Sequence, residues 1–162
     1  MSEAIESKVN ANTGSGSVSS AHVGASSVGR ESVIQFRVRY QETDQMGVVY
    51  HGNYFTYFEM GRTELLREAT GVSYREVEEN QTMMVVVKAE CSYIKPAHYD
   101  DVLTLKTRVA RISKASLEHE HELYRGSELL ATGRIRLATV NKQGKIVPVP
   151  TWIRELDANA QP

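Results

Sequence analysis

The chain of 162 residues holds a single cysteine, Cys91. One thiol forms no intramolecular disulfide and supplies no multi-cysteine zinc site. Charge imbalance is also missing: 19 Lys and Arg stand against 20 Asp and Glu, a formal net charge of −1. That balance argues against a nucleic-acid binder working through a strongly basic face. No apolar run approaches the roughly 18 residues that cross a bilayer, so no membrane span is expected. Residues 1–32 lack aromatic side chains and scatter a few Val and Ile among Ser, Gly, Ala and Asn. Such a stretch buries too little to offset its ordering entropy, and a disordered tail is expected there. Its start carries Glu3 and Glu6. With no apolar run and Arg30 as the only arginine there, neither a secretory signal nor a transit peptide is expected.

What is present describes one ordinary domain. Hydrophobic residues make up 41% of the chain and charged ones 24%, the balance of a soluble globular protein. Residues 33–156 form the expected folding unit, with residues 157–162 as a short C-terminal tail. A reduced, cytoplasmic setting follows from the cysteine usage.

Within that unit, residues 33–40 alternate. Ile34, Phe36, Val38 and Tyr40 point one way and Gln35, Arg37 and Arg39 the other, as in a half-buried strand. A loop follows to Gly52. Asn53 is placed to cap a helix that runs to Thr70 and stops at Gly71. Gly61 interrupts this helix at a cost of about 1 kcal/mol relative to Ala, which close approach to a sheet would explain. Residues 74–79 suggest a short helix or turn. Residues 82–93, 102–112, 116–124 and 128–140 read as four strands. The run Met83 to Val87 suggests burial on both faces. Short connections favour antiparallel neighbours. Residues 152–156 suggest a closing helix. The order predicts an α+β fold, one helix on a five-stranded antiparallel sheet. A single helix leaves part of that sheet uncovered, so pairing with a second copy is expected.

The most informative stretch runs from Tyr40 through Asp44, Gly47, Tyr50 and His51 to Asn53. It carries an acid into a glycine-bearing loop that ends at a helix start. Helix N-termini present unpaired N–H groups and about half a positive charge, which can hold a developing oxyanion. An acid beside such a cradle suits hydrolysis of an activated carbonyl. Aspartate is ordinarily ionised at neutral pH, which fits a nucleophile or base.

The run Tyr40-x-x-x-Asp44-x-x-Gly47-Val-Val-Tyr50-His51-x-Asn53-Tyr-Phe resembles the active-site signature of hotdog-fold acyl-CoA thioesterases of the 4-hydroxybenzoyl-CoA thioesterase-like group, including the Tol-Pal-associated bacterial enzymes. The resemblance continues through Glu59-x-x-Arg62-Thr-Glu, Tyr93-Ile-Lys-Pro96 and Val149-Pro150-x-Trp152. It implies a hotdog fold, a five-stranded antiparallel sheet wrapped around one long helix. It further implies hydrolysis of an acyl-CoA thioester to free acid and coenzyme A. Asp44 matches the catalytic carboxylate, as nucleophile or general base. His51 matches the position whose backbone N–H faces the thioester oxygen, with Tyr50 and Gly52 as neighbouring backbone donors. The His51 imidazole and Tyr40 are further catalytic candidates. No cofactor or metal is implied, because coenzyme A is part of the substrate. A homodimer or homotetramer is implied, with the site where two copies meet.

Each residue also has a plainer reading. Asp44 can brace its turn, His51 can cap or pack, and Tyr40 can simply pack. His119 and His121 share one strand face, but Glu118, Glu120 and Glu122 fall on the other, so sheet lining, including at an oligomer contact, is preferred to metal binding. Arg111, Lys114, Arg134 and Arg136 are the candidates to meet coenzyme A phosphates. Glu59 with His51 supports a rival reading as a hotdog hydratase or dehydratase. A non-catalytic acyl-CoA or acyl-carrier-protein binding module is the third.

Overall fold

A computed structural model of the chain describes residues 31–71, 75 and 82–154. Among the described residues, these strands and helices follow in order: β1 (Glu31–Arg37), α1 (Asn53–Thr70), β2 (Met83–Tyr93), β3 (Val102–Ile112), β4 (Ser116–Arg125), β5 (Glu128–Val140) and α2 (Thr151–Arg154). The strands form one antiparallel sheet in the order β1-β3-β4-β5-β2. Glu31 and Ser32, expected in the tail, are instead the first residues of β1, paired with Arg108 and Thr107. The tail reading of residues 1–30 and 157–162 lies outside the described residues, as does most of the 74–79 segment.

Helix α1 lies on one face of the sheet and packs mainly against β1 and β3. Two glycines let it settle. A Cβ on Gly61 would stand 2.2 Å from Thr107 Oγ1, and one on Gly133 would stand 2.3 Å from the Phe58 ring. Tyr57, Phe58 and Leu65 of α1 meet Leu103, Leu105, Leu117, Leu123 and Leu137 of the sheet, all buried. A buried Leu or Phe stabilises by about 1.5–3 kcal/mol through removal from water, and this layer is the main source of stability. Gly71, at φ +68°, ends α1 by donating its N–H to Arg67. The opposite face of the sheet carries alternating charges. Arg108 pairs with Glu120, Arg134 with Glu118 and Glu120, and Arg136 with Glu118.

Two expectations are corrected. Strand β1 stops at Arg37, so Tyr40 leaves the alternation: Val38 is buried but Tyr40 is 79% exposed. The cause is a 3-10 turn at Tyr40–Glu42 that redirects the chain. The run Met83 to Val87 is not buried on both faces within one chain. Val85, Val86 and Val87 are exposed, because β2 is the edge strand farthest from the part of the sheet that α1 covers. A bulge lies between Val86 and Lys88. No helix among the described residues is long and apolar enough to cross a membrane.

Candidate active site

The segment between β1 and α1 is tied down at both ends. Val38 donates to Asp101 O and accepts from Asp100 N. Thr43 and Val49 then bridge, and Val48 bridges to His98, which stitches the loop to the β2–β3 connection. At the tip, the Asp44 N–H donates to Val48 O and the Gly47 N–H to Asp44 O, both at 2.9 Å. Gly47 takes φ +76°, a left-handed conformation that glycine adopts without steric cost. Asp44 Oδ1 accepts the Met46 N–H at 2.8 Å. Asp44 Oδ2 accepts no hydrogen bond from any described residue, and the side chain is half-buried. Asp44 therefore braces its turn with one oxygen and keeps the other open.

The helix start has its own geometry. Asn53, Tyr54 and Phe55 donate their N–H groups to Tyr50, His51 and Gly52 carbonyls, a tightened first turn. The N–H groups of His51 and Gly52, just before it, donate to no described residue. They are the open donors here. Tyr50 is different: its N–H is spent on Glu42 O at 2.9 Å, so the expectation that it is a third backbone donor is corrected. Asn53 is also not a cap by side chain. It is the first helical residue, and its Nδ2 reaches back to Glu42 O at 2.8 Å.

His51 is exposed and its ring lies beside Tyr50, at 4.3 Å between centroids, with Tyr93 farther off edge-on. Its carbonyl accepts the Tyr93 hydroxyl at 3.0 Å. Burial first, and then the neighbouring Cys91, push the Tyr93 phenol up to about 12, so it stays a donor at any working pH. A cleft of about 270 Å³ opens beside this junction, lined by Val48, Val49, His51, Tyr54, Tyr93 and Ile94 among others. The Tyr40 ring packs edge-on against Tyr99 at 5.5 Å and makes no hydrogen bond to Asp44.

The basic candidates are not gathered here. Arg111 and Lys114 lie at the far end of β3 from Asp101, and a strand rising about 3.3 Å per residue puts them roughly 30 Å along the sheet. Arg134 and Arg136 sit on the charged outer face, paired with Glu118 and Glu120. Glu59 is two-thirds exposed on α1 and pairs with Arg62 at 3.2 Å. Two turns of helix, about 12 Å of rise, separate it from His51.

His119 and His121 are buried beneath α1, which removes the expectation that they line an oligomer contact. His121 Nδ1 is 3.0 Å from Thr107 Oγ1, and its ring stacks on Phe58 at 4.7 Å. Burial is the main cause that lowers His119 to about 4 and His121 to about 3, helped by the nearby Arg62 charge and, for His121, by His119. Both rings are neutral at pH 7.

Sequence reasoning missed Glu42. It is an acid only 6% exposed, two residues before Asp44. Its one local signal was the Arg39-x-x-Glu42 spacing; Tyr57, its other side-chain partner, read simply as core.

Comparison with known proteins identifies the family. A model of the thioesterase-like superfamily matches residues 38–156. The acyl-CoA thioesterase YbgC of Haemophilus influenzae is 36% identical over 113 residues, which covers 70% of this chain and 82% of that protein. The DHNA-CoA thioesterase of Staphylococcus aureus superposes with a TM-score of 0.71 at 29% identity, over 77% of this chain and 85% of that one. A 4-hydroxybenzoyl-CoA thioesterase mutant in complex with 4-hydroxybenzoyl-CoA superposes with a TM-score of 0.73 at 21% identity, over 80% and 99% of the two chains, a likeness of fold. With the sheet order, the helix and the Asp44 loop as described, the chain belongs to the thioesterase-like superfamily and is a hotdog-fold enzyme of the thioester-hydrolase class.

Proposed function

We propose that the protein hydrolyses acyl-CoA thioesters to a free acid and coenzyme A, with Asp44 as the reacting carboxylate and the His51 and Gly52 N–H groups as the oxyanion cradle. One observation carries the reading: two undonated N–H groups at the start of α1 follow a loop that holds Asp44 with one oxygen free. The thioester carbonyl oxygen accepts from the N–H pair and gains negative charge as the acyl carbon becomes tetrahedral. Asp44 Oδ2 either attacks that carbon, forming an anhydride that water then opens, or takes a proton from an attacking water. In both routes the C–S bond breaks, the sulfur leaves as the thiol of coenzyme A, and water supplies the oxygen of the acid.

The exposed β2 edge supports a homodimer that joins the Val85–Val87 strands and closes the cleft beside His51 and Tyr93. A homotetramer would use further surface. Arg111 and Lys114 would then serve coenzyme A phosphates only in a site built with the partner. A cytoplasmic location suits the lone thiol. The outward, Arg62-paired Glu59 gives the hydratase reading no such support.

The test is thiol release from short, long and aromatic acyl-CoAs. Asp44→Asn is expected to cut the rate by about 10²–10³, the scale of losing one transition-state contact. A near-wild-type rate in Asp44→Asn on every substrate turned over would sink the mechanism.

A further inference from the structure

Glu42 is bonded at every acceptor the described structure offers it. Its Oε2 accepts the Arg39 N–H at 2.8 Å and the Tyr57 hydroxyl at 3.0 Å. Its Oε1 accepts Arg39 Nε at 2.9 Å and Nη2 at 2.6 Å. Its carbonyl accepts the Tyr50 N–H and Asn53 Nδ2. One residue therefore joins three pieces of chain: the exit of β1, the second turn of α1 and the residues on either side of His51 and Gly52.

A buried carboxylate is a costly choice for simple packing, since an apolar residue of the same size avoids its desolvation. Burial pushes the Glu42 carboxyl up, but the Arg39 and Tyr57 hydrogen bonds and the Arg39 charge outweigh it and hold the group below the usual carboxylate range. It stays ionised and acceptor-only. An apolar residue would keep the carbonyl contacts to Tyr50 and Asn53 but lose the Arg39 and Tyr57 anchors; the carboxylate's part is to hold the residue, and the carbonyl with it, in one place. Asp44 lies two residues beyond the clamped carboxylate. The His51 and Gly52 donors lie between Tyr50 and Asn53, the two residues clamped to the Glu42 carbonyl.

We infer that Glu42 is a positioning residue for thioester hydrolysis: held by Arg39 and Tyr57, it sets the separation between the Asp44 carboxylate and the His51–Gly52 N–H pair. This rests on the hydrolase reading above. Glu42 touches no reacting atom and acts through the two groups it places. Such placement matters because a misplacement of about 1 Å can cost about 10²-fold in rate.

The experiment pairs kinetics with a readout that needs no activity. Glu42→Gln keeps the size but removes the charge and turns one acceptor oxygen into an amide donor that can no longer accept from Arg39. Tyr57→Phe removes the helix-side hydroxyl alone. Thiol release is measured for both, and the amide resonances of His51 and Gly52 are followed by NMR, with Gly126 in the β4–β5 turn as an internal reference. Glu42→Gln is expected to lower kcat by about 10²-fold with KM close to wild type, and Tyr57→Phe to show a smaller loss of the same kind. The His51 and Gly52 resonances are expected to shift while Gly126 holds still. A folded Glu42→Gln with wild-type kcat, or a loss confined to KM, overturns the inference, and so do unmoved His51 and Gly52 resonances. Should wild-type protein release no thiol from any acyl-CoA, the hydrolase reading falls, and the resonances alone then decide the placement. Should Glu42→Gln fail to fold, Tyr57→Phe is judged by the same two readouts.

Discussion

The loop between β1 and α1 and the strip of β4 beneath α1 both carry polar side chains that suggest chemistry, and they differ in where their unused hydrogen-bonding capacity points. In the loop, Asp44 Oδ2 and the His51 and Gly52 N–H groups are unspent, Asp44 is half exposed, and His51 lines a cleft. In the strip, His119 Nδ1 and His121 Nε2 are also unpartnered among the described residues, but they face the interior of the helix–sheet layer. Residue type is similar in the two places. Access separates a group that can meet a substrate from one that can only tax stability.

The largest effect that would sharpen this contrast is in acid. Both histidines have lowered values in the folded protein, so the unfolded chain binds protons more readily below its ordinary value near 6.5. Stability is then complete above that value and falls as the pH drops toward 4, by on the order of a few kcal/mol for the pair. Urea unfolding between pH 7 and 4 checks this. His121→Leu should flatten the slope while leaving thiol release intact at pH 7. Next is Asp44→Asn, which should cost activity, about 3–4 kcal/mol in transition-state stabilisation, without moving the melting temperature. The two variants together break the comparison if each changes the property assigned to the other.

Gly61→Ala is expected to come third. Its Cβ has no room beside Thr107 and Leu105, and a forced shift costs about 1–3 kcal/mol, read as a lower denaturant midpoint. The smallest effect belongs to the outer face. Glu120→Gln loosens the pairs with Arg108 and Arg134, both about half exposed, and should change stability by no more than about 1 kcal/mol. A larger change there would mean that this face is covered in solution, which sedimentation would show.

The sequence made the regular parts of the molecule readable because they obey local rules. Residues 102–112 and 128–140, read as strands between short turns, coincide with β3 and β5 to the residue, and Gly71 marked the end of α1. The misplaced end of β1 has a clear cause. Tyr40 continues the apolar phase of Ile34, Phe36 and Val38, yet the Arg39–Glu42 contact has already turned the chain. The valines of β2 read as interior because apolar runs usually are, and a pattern cannot tell a central strand from an edge. At the site, the Asp44-to-His51 spacing was legible. The anchoring of that segment was not, since Tyr57 meets Glu42 from 15 residues away and Tyr93 meets His51 from 42. Tyr50 illustrates the same limit: only the fold reveals that its N–H is already committed to Glu42.

The bare edge of β2 has a consequence for how the protein behaves in solution. Three consecutive exposed valines on a strand bonded along one side only, to β5, are a template on which foreign strands can grow, the local chemistry of amyloid nucleation. The irregularity at Val87 and the charged Lys88 and Glu90 interrupt that template after one short stretch. Colloidal stability is thus bound to whatever caps this strand, and conditions that strip the cap should seed precipitation from a chain whose core is still intact.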